Sequence, residues 1–173
     1  DYIAWACWLK SLPYVQGDKI GVEGFSFGGT TTAMLVLRYP QYFCCGVAGG
    51  GVYDWNLYDS HYTERFMDTP QANPEGYAEA GVLTWVPKVF SPINSIFPAP
   101  GALKLTHGTG DDNVHFQNTL LLVDALQKEG YQFELMIYPD GMHGYRGKQH
   151  LHDQASDHIF WSRHLLGKSA AEK

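Results

Sequence analysis

The chain has 173 residues, enough for one domain with a sizeable core, and its 45% apolar and 17% charged content is that of a folded protein. Twelve Lys and Arg against eighteen Asp and Glu give a net charge of −6 with no basic stripe, which excludes a nucleic-acid partner, because phosphate binding needs concentrated positive charge. No apolar run nears the roughly 18 residues of a membrane span, and no charged-then-apolar leader is expected from Asp1 onward; the missing initiator Met points to processing or to excision from something longer.

Apolar positions Ile3, Ala4, Ala6, Cys7 and Leu9 predict a helix over 2–12, ending near Pro13. "KIGVE" (19–23) is a short buried strand, and after a glycine cluster Thr31 to Tyr39 carries helical spacing stopped by Pro40. Residues 43–49, "FCCGVAG", form a second strand. Val52 to Pro100 is irregular, with short helices and many Tyr, Asp and Pro. "ALKLTHG" (102–108) alternates as a third strand, Val114 to Lys128 is a helix stopped by Gly130, "FELMIYP" (133–139) is a fourth strand, and 150–166 closes as an amphipathic helix ended by Gly167. Strands alternating with helices predict an α/β fold, a mostly parallel sheet with helices on both faces, whose ligands sit beyond the carboxyl ends of the strands. Cys7, Cys44 and Cys45 are too few for a disulfide scaffold, and neighbours in one strand face opposite ways, which argues against a Cys44–Cys45 bridge.

Gly24-Phe25-Ser26-Phe27-Gly28 lies between a strand and a helix, the signature of the α/β-hydrolase nucleophile elbow. A strained turn pushes the hydroxyl outward, flanking glycines remove clashes, and the helix N-terminus favours a developing oxyanion, with the Phe27 backbone N–H as one donor. The plain alternative is a glycine loop with an incidental serine. A nucleophilic serine needs an acid and then a histidine in chain order. Asp111 follows the third strand, 85 residues beyond Ser26, and His143 follows the fourth, 32 residues beyond Asp111, between Gly141 and Gly144. Asp112 is the competing acid. Asp140 fits a turn after Pro139, and His107 fits a buttress that holds a loop through backbone hydrogen bonds. His61, His115, His150, His152, His158 and His164 fit surface or packing positions. Asp111, Asp112 and His115, or His150 with His152, match no specific metal motif, so no metal or cofactor is expected.

"GFSFGG", "VYDWNLYDSHYTERFM", "LTHGTGDDNVHFQNT" and "YPDGMHG" resemble the catalytic domain of the prolyl oligopeptidase family, in the branch of dipeptidyl peptidase IV and the bacterial prolyl tripeptidyl peptidases. The resemblance covers nearly the whole chain. It implies Ser26 as nucleophile, Asp111 as acid and His143 as base. It implies a proline pocket walled by Phe27, Val52, Trp55, Tyr58, Tyr62 and Val114, with Asn113 binding a substrate carbonyl. Core packing is the alternative for these aromatics. Phe25 and Phe27 depart from the branch, which usually has Trp and often Tyr there. Cys45 matches a disulfide cysteine of mammalian relatives, but no cysteine follows His143 to pair with it.

The resemblance further implies a C-terminal part of an α/β-hydrolase domain, with an upstream β-propeller and the first sheet strands lying outside this chain, and with "KIGVE" left as an unpaired edge. A second oxyanion donor, a tyrosine hydroxyl, and the acidic residues that grip the substrate's amino terminus would also lie upstream. The implied activity is a serine exopeptidase that releases N-terminal di- or tripeptides after proline. Its partners are peptides with proline before the scissile bond, and a homodimer is an open expectation. Another hydrolase, such as an oligopeptidase or esterase, or a non-catalytic interaction fragment, is the alternative. Only the resemblance points to a periplasmic or extracellular location. Residues 86–101 show no motif and are expected to loop over the surface.

Overall fold

The structure, a computed structural model, describes residues 1–90 and 101–167. Its elements in chain order are α1 (Tyr2–Ser11), β1 (Gly21–Phe25), α2 (Phe27–Arg38), β2 (Cys45–Gly49), a 3-10 turn (Trp55–Leu57), α3 (Ser60–Met67), α4 (Pro74–Ala80), α5 (Val82–Phe90), β3 (Ala102–Gly108), α6 (Gln117–Lys128), β4 (Glu134–Tyr138) and α7 (Gly147–His164). The four strands form one parallel sheet in the order β1-β2-β3-β4, each joined to the next through helix. β1 is an edge of the described sheet, as expected.

Alternation along the strands sorts the helices onto two faces. Ala48, Leu103 and Leu105 point to one face and pack with Ala33, Val36 and Leu37 of α2, Val82 and Val86 of α5, and Leu122 and Leu126 of α6. Cys45 and Val47 point to the other and meet Phe160 of α7. Full burial of such side chains stabilises the fold by about 1.5–3 kcal/mol each.

β3 spans the residues predicted for it, while β1 starts and ends two residues later than expected. α2 begins at Phe27, not Thr31, because tertiary contact overrides the low helix propensity of glycine. A Cβ on Gly29 would lie 2.4 Å from the Gly49 carbonyl oxygen, and one on Gly24 would lie 2.4 Å from the Gly28 backbone. Gly28 itself meets nothing within 4 Å, so its own side of the turn is open, contrary to the expectation that both flanking glycines relieve a clash. α6 starts three residues late, at Gln117, because the Val114 N–H is held by Asp111. α7 starts at Gly147 and ends at His164, earlier at both ends than predicted.

The largest correction lies in residues 86–101. Residues 86–90 belong to α5, which holds Pro87 inside it and buries Val82 and Val86 in the core, so this part is core helix and not surface loop. Residues 91–100 lie outside the described residues. Cys7, Cys44 and Cys45 are free thiols; burial and the adjacent Cys44 push the Cys45 thiol up to about 12, which keeps it unreactive.

Candidate active site

The strand ends are stitched at one rim. The Ser26 N–H donates to the Gly49 carbonyl (2.8 Å), Gly50 N–H to Thr106 (2.9 Å), and Thr109 N–H to Tyr138 (3.0 Å). Each loop that leaves the sheet is thus fixed to the neighbouring strand. Ser26 sits at the tightest point, with φ 61° and ψ −123°, a conformation that costs about 1–3 kcal/mol for a non-glycine residue. It caps α2, whose first N–H groups point towards the same space.

The three residues singled out at the strand ends meet. Ser26 Oγ lies 2.9 Å from His143 Nε2, and His143 Nδ1 lies 2.8 Å from Asp111 Oδ2. The Asp111 side chain is fully buried, and its Oδ1 accepts N–H groups from Asn113 (3.0 Å) and Val114 (2.9 Å). Asp112 is exposed and makes no such bond to His143. Asp140 takes a left-handed turn, φ 56°, and its N–H donates to Thr109 Oγ1, which ties the two loops together. Gly144 follows His143 with φ 113°, a backbone conformation that suits glycine.

His107 buttresses this loop as expected, and goes further. Its Nε2 donates to the Val114 carbonyl (2.8 Å) and lies 3.3 Å from Asp111 Oδ2, while Nδ1 accepts from the Thr119 hydroxyl (2.7 Å). Complete burial pulls the His107 pKa down, against the upward pull of Val114 and Asp111, which favours the neutral ring. The approach of His107 to Asp111, one helical turn apart in sequence, was missed; the i, i+4 spacing in "HGTGD" was its only signal. Phe25 was also underrated: its ring lies 5.0 Å from that of His143 and forms a wall behind it.

The predicted aromatic wall assembles beside Ser26. Phe27 lies 5.9 Å from Trp55, Trp55 stacks on Tyr62 at 6.4 Å, and Tyr58 meets Tyr62 edge-on at 5.5 Å. Phe27 and Tyr62 are exposed, whereas Val52 and Val114 are buried and back the wall. The Tyr58 hydroxyl donates to Asn113 Oδ1 (2.8 Å), which leaves the amide NH₂ of Asn113 free to donate outward. Among the described residues, no group of three or more His, Cys, Asp or Glu side chains is placed to hold a metal, and no helix is long and apolar enough to cross a membrane.

Comparison with known proteins decides the ancestry. The profile of the prolyl oligopeptidase family matches residues 1–169. The chain belongs to this family. A protein of Grosmannia clavigera named as a dipeptidyl-aminopeptidase B is 39% identical over 159 residues, which is 89% of this chain and 15% of that protein. One of Aspergillus flavus named as a dipeptidyl peptidase 4 is 37% identical over 147 residues, 83% of this chain and 18% of its own length. A structure named as a dipeptidyl aminopeptidase IV from Bacteroides ovatus superposes with a TM-score of 0.87 at 38% identity, covering 95% of this chain and 22% of that one. Porphyromonas gingivalis dipeptidyl peptidase 4 gives 0.79 at 38% identity, with 92% and 22% covered. This member of the prolyl oligopeptidase family therefore shares the α/β-hydrolase fold of those neighbours over the part it covers, and spans about a sixth to a fifth of the relatives it matches.

Proposed function

We propose that the protein carrying this chain is a serine exopeptidase that releases di- or tripeptides from peptide amino termini after proline. The observation that carries this is the unbroken hydrogen-bonded line from Ser26 through His143 to Asp111. As Ser26 Oγ bonds to the scissile carbonyl carbon, His143 Nε2 takes its proton and Asp111 stabilises the imidazolium. The Phe27 N–H supports the oxyanion. The C–N bond then breaks as His143 returns the proton to the leaving amine, and water, deprotonated by the same ring, hydrolyses the acyl ester.

Proline is rigid and offers no N–H, which suits the flat walls of Phe27, Trp55, Tyr58 and Tyr62, backed by Val52 and Val114. The Asn113 amide, whose oxygen is held by Tyr58, supports binding of a substrate carbonyl through its NH₂. A second oxyanion donor and the groups that hold the free amino terminus are expected upstream of Asp1, with the remaining sheet strands and a propeller domain. The test is Ser26→Ala in the intact protein. Hydrolysis of Xaa-Pro and Xaa-Xaa-Pro anilides is expected to fall roughly a million-fold with the fold unchanged by circular dichroism. Retained turnover would remove Ser26 from the reaction.

A further inference from the structure

A cavity of about 500 Å³ opens between α2 and α3. It shares Phe27, Trp55 and Tyr62 with the wall beside Ser26, then continues past Thr31 and Met34 on one side and Phe66 on the other. From Phe27 to Met34 the helix advances about 10 Å, so the space runs well beyond the first turn of α2. Its lining is almost wholly carbon. The Thr30 and Thr31 hydroxyls are engaged with the backbone carbonyls of Val52 (2.8 Å) and Phe27 (3.0 Å). Thr63, which also lines the cavity, is 2% exposed and its hydroxyl has no partner.

A prolyl ring adds only three methylene groups to the backbone, whereas cavities of about 300–1,000 Å³ hold whole drug-sized ligands. We infer that this cavity is a continuation of the substrate pocket and accepts apolar side chains longer than proline's, such as Leu, Met or Phe, at the residue before the scissile bond. This rests on the peptidase function proposed above and widens its substrate class. The occupant is a substrate side chain because three aromatic walls, Phe27 next to Ser26, Trp55 and Tyr62, are shared between the cavity and the site. Met34 adds a flexible thioether surface that adapts to side chains of different shape. Phe27, which lines the cavity and follows Ser26, is 59% exposed.

The experiment compares kcat/KM of the intact protein on glycyl-Xaa and glycyl-glycyl-Xaa p-nitroanilides with Xaa = Pro, Ala, Leu, Met and Phe. Leu, Met and Phe are expected to exceed Ala by about tenfold or more, as a filled apolar pocket allows. Thr31→Trp, which fills the cavity from α2, is expected to lower the Phe-to-Pro ratio by about tenfold. The ratio is unaffected by the fraction of folded enzyme, and Met34→Trp fills the same space from one turn further along should Thr31→Trp fail to fold. If Pro is cleaved while Leu, Met and Phe go no faster than Ala, the cavity belongs to another occupant and the inference falls, with the peptidase function intact. An unchanged ratio in Thr31→Trp overturns it likewise. If no substrate is hydrolysed in a Ser26-dependent way, the proposed function itself fails, and this inference with it.

Discussion

The two faces of the sheet are built from different chemistry. Beneath α2, α5 and α6 the contacts are mainly aliphatic, with directional bonds only towards the sheet's carboxyl end, where α6 meets His107 and Tyr53 through Thr119 and Asn118. Beneath α7 the small Cys45–Val47–Phe160 cluster gives way to a polar seam. Lys104, 1% exposed in the middle of β3, donates to Asp157 (2.8 Å) and Ser156 (2.6 Å) of α7. Further along, the Tyr145 hydroxyl donates to Thr106 (2.9 Å), and the Tyr145 ring packs on Tyr138 and Phe25. Phe25 in turn backs His143. The aliphatic face supplies burial, while the directional face fixes where α7, Tyr145 and the His143 loop stand.

Single substitutions can break this contrast. Leu122→Ala, in the aliphatic core, is expected to cost about 3–5 kcal/mol in urea denaturation and to leave kcat of the folded fraction unchanged. Lys104→Ala strands the Asp157 carboxylate, which is partly exposed and so partly relieved by water; about 3 kcal/mol is expected, with a fall in kcat as α7 shifts. Lys104→Met combined with Asp157→Leu is expected to restore stability to within about 1 kcal/mol, while the loss of kcat persists. A double variant with full activity would show that burial alone positions α7.

The smallest effect concerns His107, the one titrating group that β3 turns towards the aliphatic face. Its pKa in the folded chain is below its ordinary value of about 6.5. The unfolded chain therefore binds the proton first as pH falls. Its contribution to stability is complete above about pH 6.5 and is lost as pH drops through the lowered folded value. His107→Gln is expected to flatten the acid side of a plot of denaturation midpoint against pH. An unaltered slope would assign the acid sensitivity to another group.

The sequence revealed the parallel sheet and the meeting of Ser26, Asp111 and His143, because both leave local marks: period-two runs, a glycine-framed serine, and loops at strand ends. Other features leave none. Lys104 pairs with a residue 53 positions away, and a lysine within an apolar strand carries no sign of its partner. Pro87 argues against helix locally, yet Val82 and Val86, one turn apart, are held by the core and carry the helix through it. Asp111 could not be separated from Asp112 by spacing alone; the burial that distinguishes them arises only when β3 and β4 come together.

The hydrogen bond between Ser26 and His143 joins residues 117 positions apart, from the end of β1 to the loop after β4. Parallel strands offer no hairpin to start from, so each crossover must close before the next strand can add, and such high contact order makes assembly slow. On the proposed function, Ser26 has no base until β4 docks and carries the loop that holds His143 into place. On that reading proton transfer waits for β4, and a chain with β4 undocked cannot use its serine against the unfolded peptides around it, its own included.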